Sequence, residues 1–146
     1  MSTNQNKETT RKLYEHCLNK RNYELLKEII SDEYTGANGE KGPAGFEQGI
    51  KPLILAFPDI QWKVDDLVQE GDKVVIQHSW TGTHTGVFRG ISASNKAVHD
   101  TGVGIFQFND NKIISAWVQT DRLGFLQQIG VIPTDVTPAP PKNNFN

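Results

Sequence analysis

Cysteine is almost missing from this chain. Cys17 is the only one among 146 residues, so an intrachain disulfide is impossible and thiolate metal clusters are excluded. It stands in "LYEHCLNK", on an expected helix, where a buried, inert thiol is the natural reading. Long apolar runs are missing too. Nothing approaches the ~18 residues of a membrane span, and the opening "MSTNQNKETTRK" has no apolar signal-peptide core. A soluble, cytoplasmic protein without a membrane partner is expected. Charge of one sign is lacking as well: 15 Lys and Arg against 17 Asp and Glu give a net charge of −2. Nucleic-acid binding, which relies on clustered cations, is disfavoured. No Gly-rich phosphate loop follows a strand, and there is no G-x-S-x-G elbow. His78 in "VVIQHSW" and His84 in "TGTHTG" have no accompanying cysteine and give only a weak metal pattern, so no metal is expected. His16 reads as a surface residue.

What is present is globular. Hydrophobic residues make up 36% and charged residues 22%, enough for one domain with one core. "TTRKLYEHCLNK" and "NYELLKEIIS" carry apolar residues at helical spacing, and Pro43 can open a third helix that Pro52 should kink or split. After "FPD" the period shifts towards two. "IQWKVDDLV", "KVVIQHSWTGT", "AVHDTGVGIFQF" and "KIISAWVQTD" are strand candidates, and "RLGFLQQIG" is a short closing helix ended by Gly130. Helices followed by a run of strands predict an α+β domain over residues 1–133, its helices on one side of an antiparallel sheet. Residues 134–146, rich in Pro and Asn, read as an unpacked tail.

The last two strands carry the chemistry. "NDNK" suits a two-residue type I′ reversal at Asp110-Asn111, since Asn and Asp tolerate positive φ. Tight pairing then sets Asn109 against Lys112, Phe106 against Ser115, Gly104 against Trp117, Gly102 against Gln119 and Asp100 against Asp121. Two carboxylates would meet on a face whose glycines leave room above the sheet. Burial and like charge would let them share one proton, leaving one acid protonated and the other able to act as base. Such a pair suits proton transfer beside a carbonyl without a cofactor. The arrangement depends on register, and a slip of one residue would turn His99 to Asp121 instead. Acids at strand ends are also commonly solvated or capping groups.

The ordered pieces "FPDI", "EGDKVV", "TGTHTGVFRGI", "GVGIFQF", the W…D pair Trp117 and Asp121, and "GFLQQIG", from about Phe57 to Gly130, resemble the SnoaL-like polyketide cyclases and related ester-cyclase-like proteins. The resemblance implies an NTF2-like cone, a curved sheet closed by N-terminal helices around a pocket. It implies a homodimer or homotetramer formed through the sheet's outer face, and a reaction with no metal or organic cofactor. That reaction is ring closure by intramolecular aldol condensation, with an acid at the position matching Asp121 as general acid/base. The positions matching Gln119, Gln77 and Ser79 would face the pocket. Three departures stand out: Gln77 replaces a common Arg, "YTGANG" lacks the Asn or His that often follows the tyrosine matching Tyr34, and Asp100 replaces an apolar residue.

The combined expectation is a cofactor-independent enzyme acting on a carbonyl-rich small molecule. Asp121 and Asp100 are the catalytic pair and Gln119 and Gln77 the substrate ligands. Trp117, Trp80, Tyr34 and Phe106 form apolar walls, though each aromatic could equally be core. Asp121→Asn should then abolish turnover and spare the fold. The alternative is a non-catalytic small-ligand carrier on the same scaffold. An epoxide hydrolase fits less well, because an acid would be expected at the Gln119 position.

Overall fold

The computed structural model describes residues 3–136, so the expected tail lies outside the described residues from position 137 onward. Helix α1 (Thr3–Lys12) runs into a π-helical turn at Leu13–Leu18, followed by a 3-10 turn at Tyr23–Leu25 and the short α2 (Leu26–Ile29). Asn6, Thr10, Leu13, Tyr14, Cys17 and Leu18 are buried, the three-to-four spacing of a single helical stripe laid on a sheet. Helix α3 (Gly42–Ala56) contains Pro52 and is nevertheless one element rather than two. Pro52 and Gln48 are both exposed, so water can satisfy the Gln48 carbonyl that loses its helical donor.

Strands β1 (Gln61–Glu70), β2 (Lys73–Thr83), β3 (Ala97–Asn109) and β4 (Lys112–Thr120) form one antiparallel sheet in sequence order, and α4 (Arg122–Gln128) closes the chain. The layout is the expected α+β, with the helices leading. Two polar clamps tie the end of the π-helical turn to the start of β1 and to the segment just before it. Asn19 donates from Nδ2 to the Trp62 carbonyl at 2.8 Å and accepts from the Trp62 N–H at 2.7 Å. Arg21, at φ 56°, donates to the carbonyls of Leu18 at 2.6 Å, Pro58 at 3.0 Å and Ile60 at 2.8 Å.

Even-numbered residues of β2 and β3 face inward. Val74, Ile76, His78 and Trp80 on β2 are buried, as are Val98, Asp100, Phe106 and Phe108 on β3. Asp110 and Asn111 adopt φ of 50° and 65°, the left-handed pair a type I′ reversal requires. Asn109 therefore pairs with Lys112, and Phe108 with Ile113.

Beyond that point the expected register fails. A β-bulge places Ile114 as an extra residue, and the ladder resumes with Gln107 opposite Ser115, Phe106 opposite Ala116, Gly104 opposite Val118 and Gly102 opposite Thr120. Every side chain after the bulge changes face. Ala116, Val118 and Thr120 turn inward, while Ser115, Trp117 and Gln119 turn outward. Packing explains the choice: Ile113 stays buried and bridges to Ile30, and a small Ala116 then meets Phe106. The inner space at Gly104 is already occupied, since a methyl there would lie 3.1 Å from Ile76 Cγ2. An inward Trp117 would have had no room.

Candidate active site

The expected pairing of Asp100 with Asp121 is not formed. The Asp121 N–H donates to the Thr101 carbonyl at 3.1 Å, which sets Asp121 beside Thr101 on the outer face. Its carboxylate is exposed and caps α4, with Oδ1 accepting the Gly124 N–H at 2.9 Å. His99 does not replace Asp100 either. It lies exposed on the outer face, its backbone held on both sides by the Gln128 carboxamide at 2.8 and 2.9 Å.

The other predicted site residues divide by face. Gln77, Gln119 and Asp121, with Thr101 and Val103, line a shallow outer depression of about 260 Å³. Trp117 is 53% exposed on that face. Trp80, Phe106 and Tyr34 are buried. Trp80 and Phe106 sit on the inner face, and Tyr34 meets the edge of Phe46 at 5.6 Å between ring centroids. The structure thus gathers Asp100, Trp80 and Phe106 on one side of the sheet and Gln77, Gln119, Trp117 and Asp121 on the other.

Asp100 is only 4% exposed. Its Oδ1 accepts the N–H of Thr101 at 2.9 Å. Burial pushes its carboxyl above the ordinary carboxylate range; the Thr101 N–H opposes this, the Asp121 charge adds to it, and His99 and Arg122 pull it back. A carboxyl in this state can act as a proton donor.

Two residues that sequence reasoning did not assign to the site complete this face. His78 is 3% exposed, and neither Nδ1 nor Nε2 has a hydrogen-bond partner among the described residues. It pairs with Gly102, while Trp80 pairs with Asp100. His78 and Asp100 are therefore diagonal neighbours on one face, a relation of roughly 7–8 Å between Cα atoms. Burial lowers the basicity of the imidazole, against a smaller opposite pull from Asp65. The Tyr14 ring, brought in by the π-helical turn, lies 5.4 Å from the His78 ring and 6.2 Å from that of Phe106. Burial raises the Tyr14 phenol well above its ordinary value, so it stays protonated. The signal for His78 was in the sequence: it continues the period-two row Val74, Ile76, His78, Trp80.

The space expected above Gly102 is filled. A methyl built there would lie 2.7 Å from His78 Nε2, 2.9 Å from the Gln119 carbonyl oxygen and 3.1 Å from Thr120 Cγ2. The imidazole thus leans across Gly102 towards the last residue of β4. Val118 and Thr120, although on the inner face, are exposed, Val118 by 43%. The inner face opens to solvent along this edge, next to His78.

Cys17 is buried and burial pushes its thiol up to about 11, with Glu47 adding, which fits the inert reading. No group of three or more His, Cys, Asp or Glu side chains placed to hold a metal occurs among the described residues. No helix among them is long and apolar enough to cross a membrane.

Comparison with known proteins places this geometry. TsrD from Streptomyces laurentii superposes with a TM-score of 0.82 at 25% identity, covering 90% of this chain and 99% of its own. A protein of Acidithiobacillus ferrooxidans, provisionally described as a polyketide cyclase, is 30% identical with a TM-score of 0.76 over 88% of this chain and 97% of its own. Wild-type IdmH from Streptomyces antibioticus, described in the same way, is 27% identical with a TM-score of 0.73, covering 87% and 99%. Comparison with curated protein sequences yields no match. The family profile described as SnoaL-like polyketide cyclase matches residues 8–129. With nearly the whole folded region matched, the chain belongs to the SnoaL-like polyketide cyclase family, within the NTF2-like superfamily.

Proposed function

We propose that this protein is a cofactor-independent enzyme that closes a ring, or performs a related proton transfer, on a carbonyl-rich small molecule. In this reading residues 1–133 form one NTF2-like cone, and the substrate lies between its N-terminal helices and the inner face of the sheet. The single observation that carries the proposal is Asp100: an ionisable group kept buried, with its carboxyl biased towards the protonated form, on the face that the helices cover. A carboxylic acid can protonate an alkoxide as it develops, the step that ends an aldol addition. Trp80, the register partner of Asp100, supplies an apolar wall beside it.

The test is a panel of diketide and aromatic esters incubated with the protein and analysed for cyclised products. Asp100→Asn should lower the rate by ~10²–10⁴, the usual effect of losing a general acid, while circular dichroism remains that of the wild type. Ligand binding without product from any compound would instead favour a carrier. The same reading includes a homodimer or homotetramer built on the outer face. Val68, Val75, Ile105 and Trp117 are register partners in succession across all four strands, and this apolar row suits burial against a second copy.

A further inference from the structure

We propose that His78 is the base of this site, and that its Nε2 removes a proton from the carbon next to a substrate carbonyl. This assignment rests on the proposed acid/base reading and supplies the half of it that Asp100 cannot. A ring closure needs one group that takes a proton from carbon and another that gives one to oxygen.

Four observations converge on the imidazole. It is nine-tenths buried and more, and both ring nitrogens lack partners among the described residues. Leaving such groups unmet is costly, and a neutral imidazole offers a reacting ligand one acceptor and one donor. The ring is held by packing rather than by hydrogen bonds, with Tyr14 at 5.4 Å on one side and Gly102 beneath Nε2. Gly102 is required there, because a methyl at 2.7 Å would displace the ring. Nε2 also neighbours Thr120, where the inner face meets solvent. His78 and Asp100 lie diagonally on that one inner face.

The step balances without an added reagent. Nε2 takes the proton from carbon, and the C–H electron pair becomes the enolate. The enolate carbon bonds to a second carbonyl carbon, whose π pair moves to its oxygen. That alkoxide takes the Asp100 proton. The imidazolium then returns its proton to the Asp100 carboxylate, directly or through solvent, and both groups are reset.

The charged and titratable groups around the pair are few. Asp65 of β1 favours the imidazolium, Tyr14 of the first helical segment is neutral, and Asp100 of β3 is biased towards neutrality. Asp121 and Arg122, at the start of α4, act on Asp100 with opposite signs, and His99 of β3 acts with Arg122. Burial therefore dominates at His78. The active, neutral imidazole should persist to below the ordinary titration point of about 6.5.

The experiment follows proton loss separately from ring closure. Aryl methyl ketones, acetophenone among them, and aryl β-keto esters are incubated in D₂O, and exchange at the carbon next to the carbonyl is read by proton NMR. Wild type is expected to accelerate exchange, with a rate that rises with pH to a plateau through a midpoint below about 6.5. His78→Gln should lose ~10²–10⁴ of that rate together with the rising limb, and His99→Gln, an outer-face control, should keep both. Exchange at the wild-type rate in a folded His78→Gln overturns the assignment while leaving ring closure by another base intact. Exchange that depends on His78 but never yields a ring supports the base and overturns the cyclisation reading. Failure of wild type to exchange any of these compounds overturns both. Should His78→Gln not fold, ¹⁵N NMR of the wild type decides. The His78 Nε2 resonance must shift on saturation with acetophenone, and an unmoved resonance rejects the role.

Discussion

Gly102→Ala tests the placement of His78 without touching a titratable group. The added methyl would meet His78 Nε2 at 2.7 Å, the Gln119 carbonyl oxygen at 2.9 Å and Thr120 Cγ2 at 3.1 Å. The imidazole can swing aside at some cost, but the carbonyl belongs to the β4 backbone and yields only if the strand moves. Overpacking of this kind costs about 1–3 kcal/mol. Alanine restricts the unfolded chain relative to glycine and returns about 0.4–1 kcal/mol. The net loss should be on the order of 1–2 kcal/mol, readable as a lower urea midpoint at unchanged m-value. The same change in a His78→Ala background should cost less, because the nearest contact has gone, giving a coupling of about 0.5–1 kcal/mol, the low end of the range for residues in contact. It should not vanish, since the Gln119 carbonyl remains. A Gly102→Ala protein as stable as wild type, with no coupling to His78, would show that the ring does not lie over this glycine. The geometry proposed for the base would then fail.

Asp121→Ala should cost about 0.5–2 kcal/mol through loss of the α4 cap, and Asp121→Asn much less, because asparagine also caps. Both should retain turnover; loss of turnover in a stably folded Asp121→Asn would return the acid/base role to that residue. Trp117→Asp should reduce the particle mass measured by light scattering, and an unchanged mass would exclude the outer apolar row as the interface. For Asp100 the folded-state pKa is raised, so the folded chain holds this proton more tightly than the unfolded one. The resulting stability is fully present below the ordinary value of about 3.9 and is lost as pH rises through the folded value. The stability of wild type relative to Asp100→Asn should therefore fall with rising pH across that interval, and a flat difference would show that Asp100 is not buried in the folded protein.

The parts of this fold that were legible in the sequence are those set by local chemistry. Asp110-Asn111 marked the reversal because few residues other than glycine accept positive φ at two successive positions. The helices and strands followed from spacing, and Gly130, at φ 86°, marked the end of the last helix. His78 was legible in its alternation with Val74, Ile76 and Trp80, but was read for its ligand chemistry rather than for its place in the row. The π-helical turn that carries Tyr14 inward left no such mark, because its residues also satisfy ordinary helical spacing.

The bulge at Ile114 was hidden for a physical reason. Ile113 and Ile114 are adjacent and both apolar, so either can occupy the core side and the alternation is ambiguous where it matters. Only the far side of the sheet resolves it: Ile76 already fills the space at Gly104, leaving room for Val118 but not for an indole. The same shift removes an electrostatic conflict. In tight register two carboxylates would stand opposite each other on a covered face, an arrangement that resists ionisation of both. With one extra residue Asp121 reaches the outer side and takes up the Gly124 N–H, while Asp100 stays inside with the Thr101 N–H. One insertion thus converts a predicted pair of competing acids into a helix cap and a single buried acid. The position diagonal to that acid on the inner face then belongs to His78, so the titratable side chain nearest it in register on that face is an imidazole on β2 rather than a carboxylate on β4.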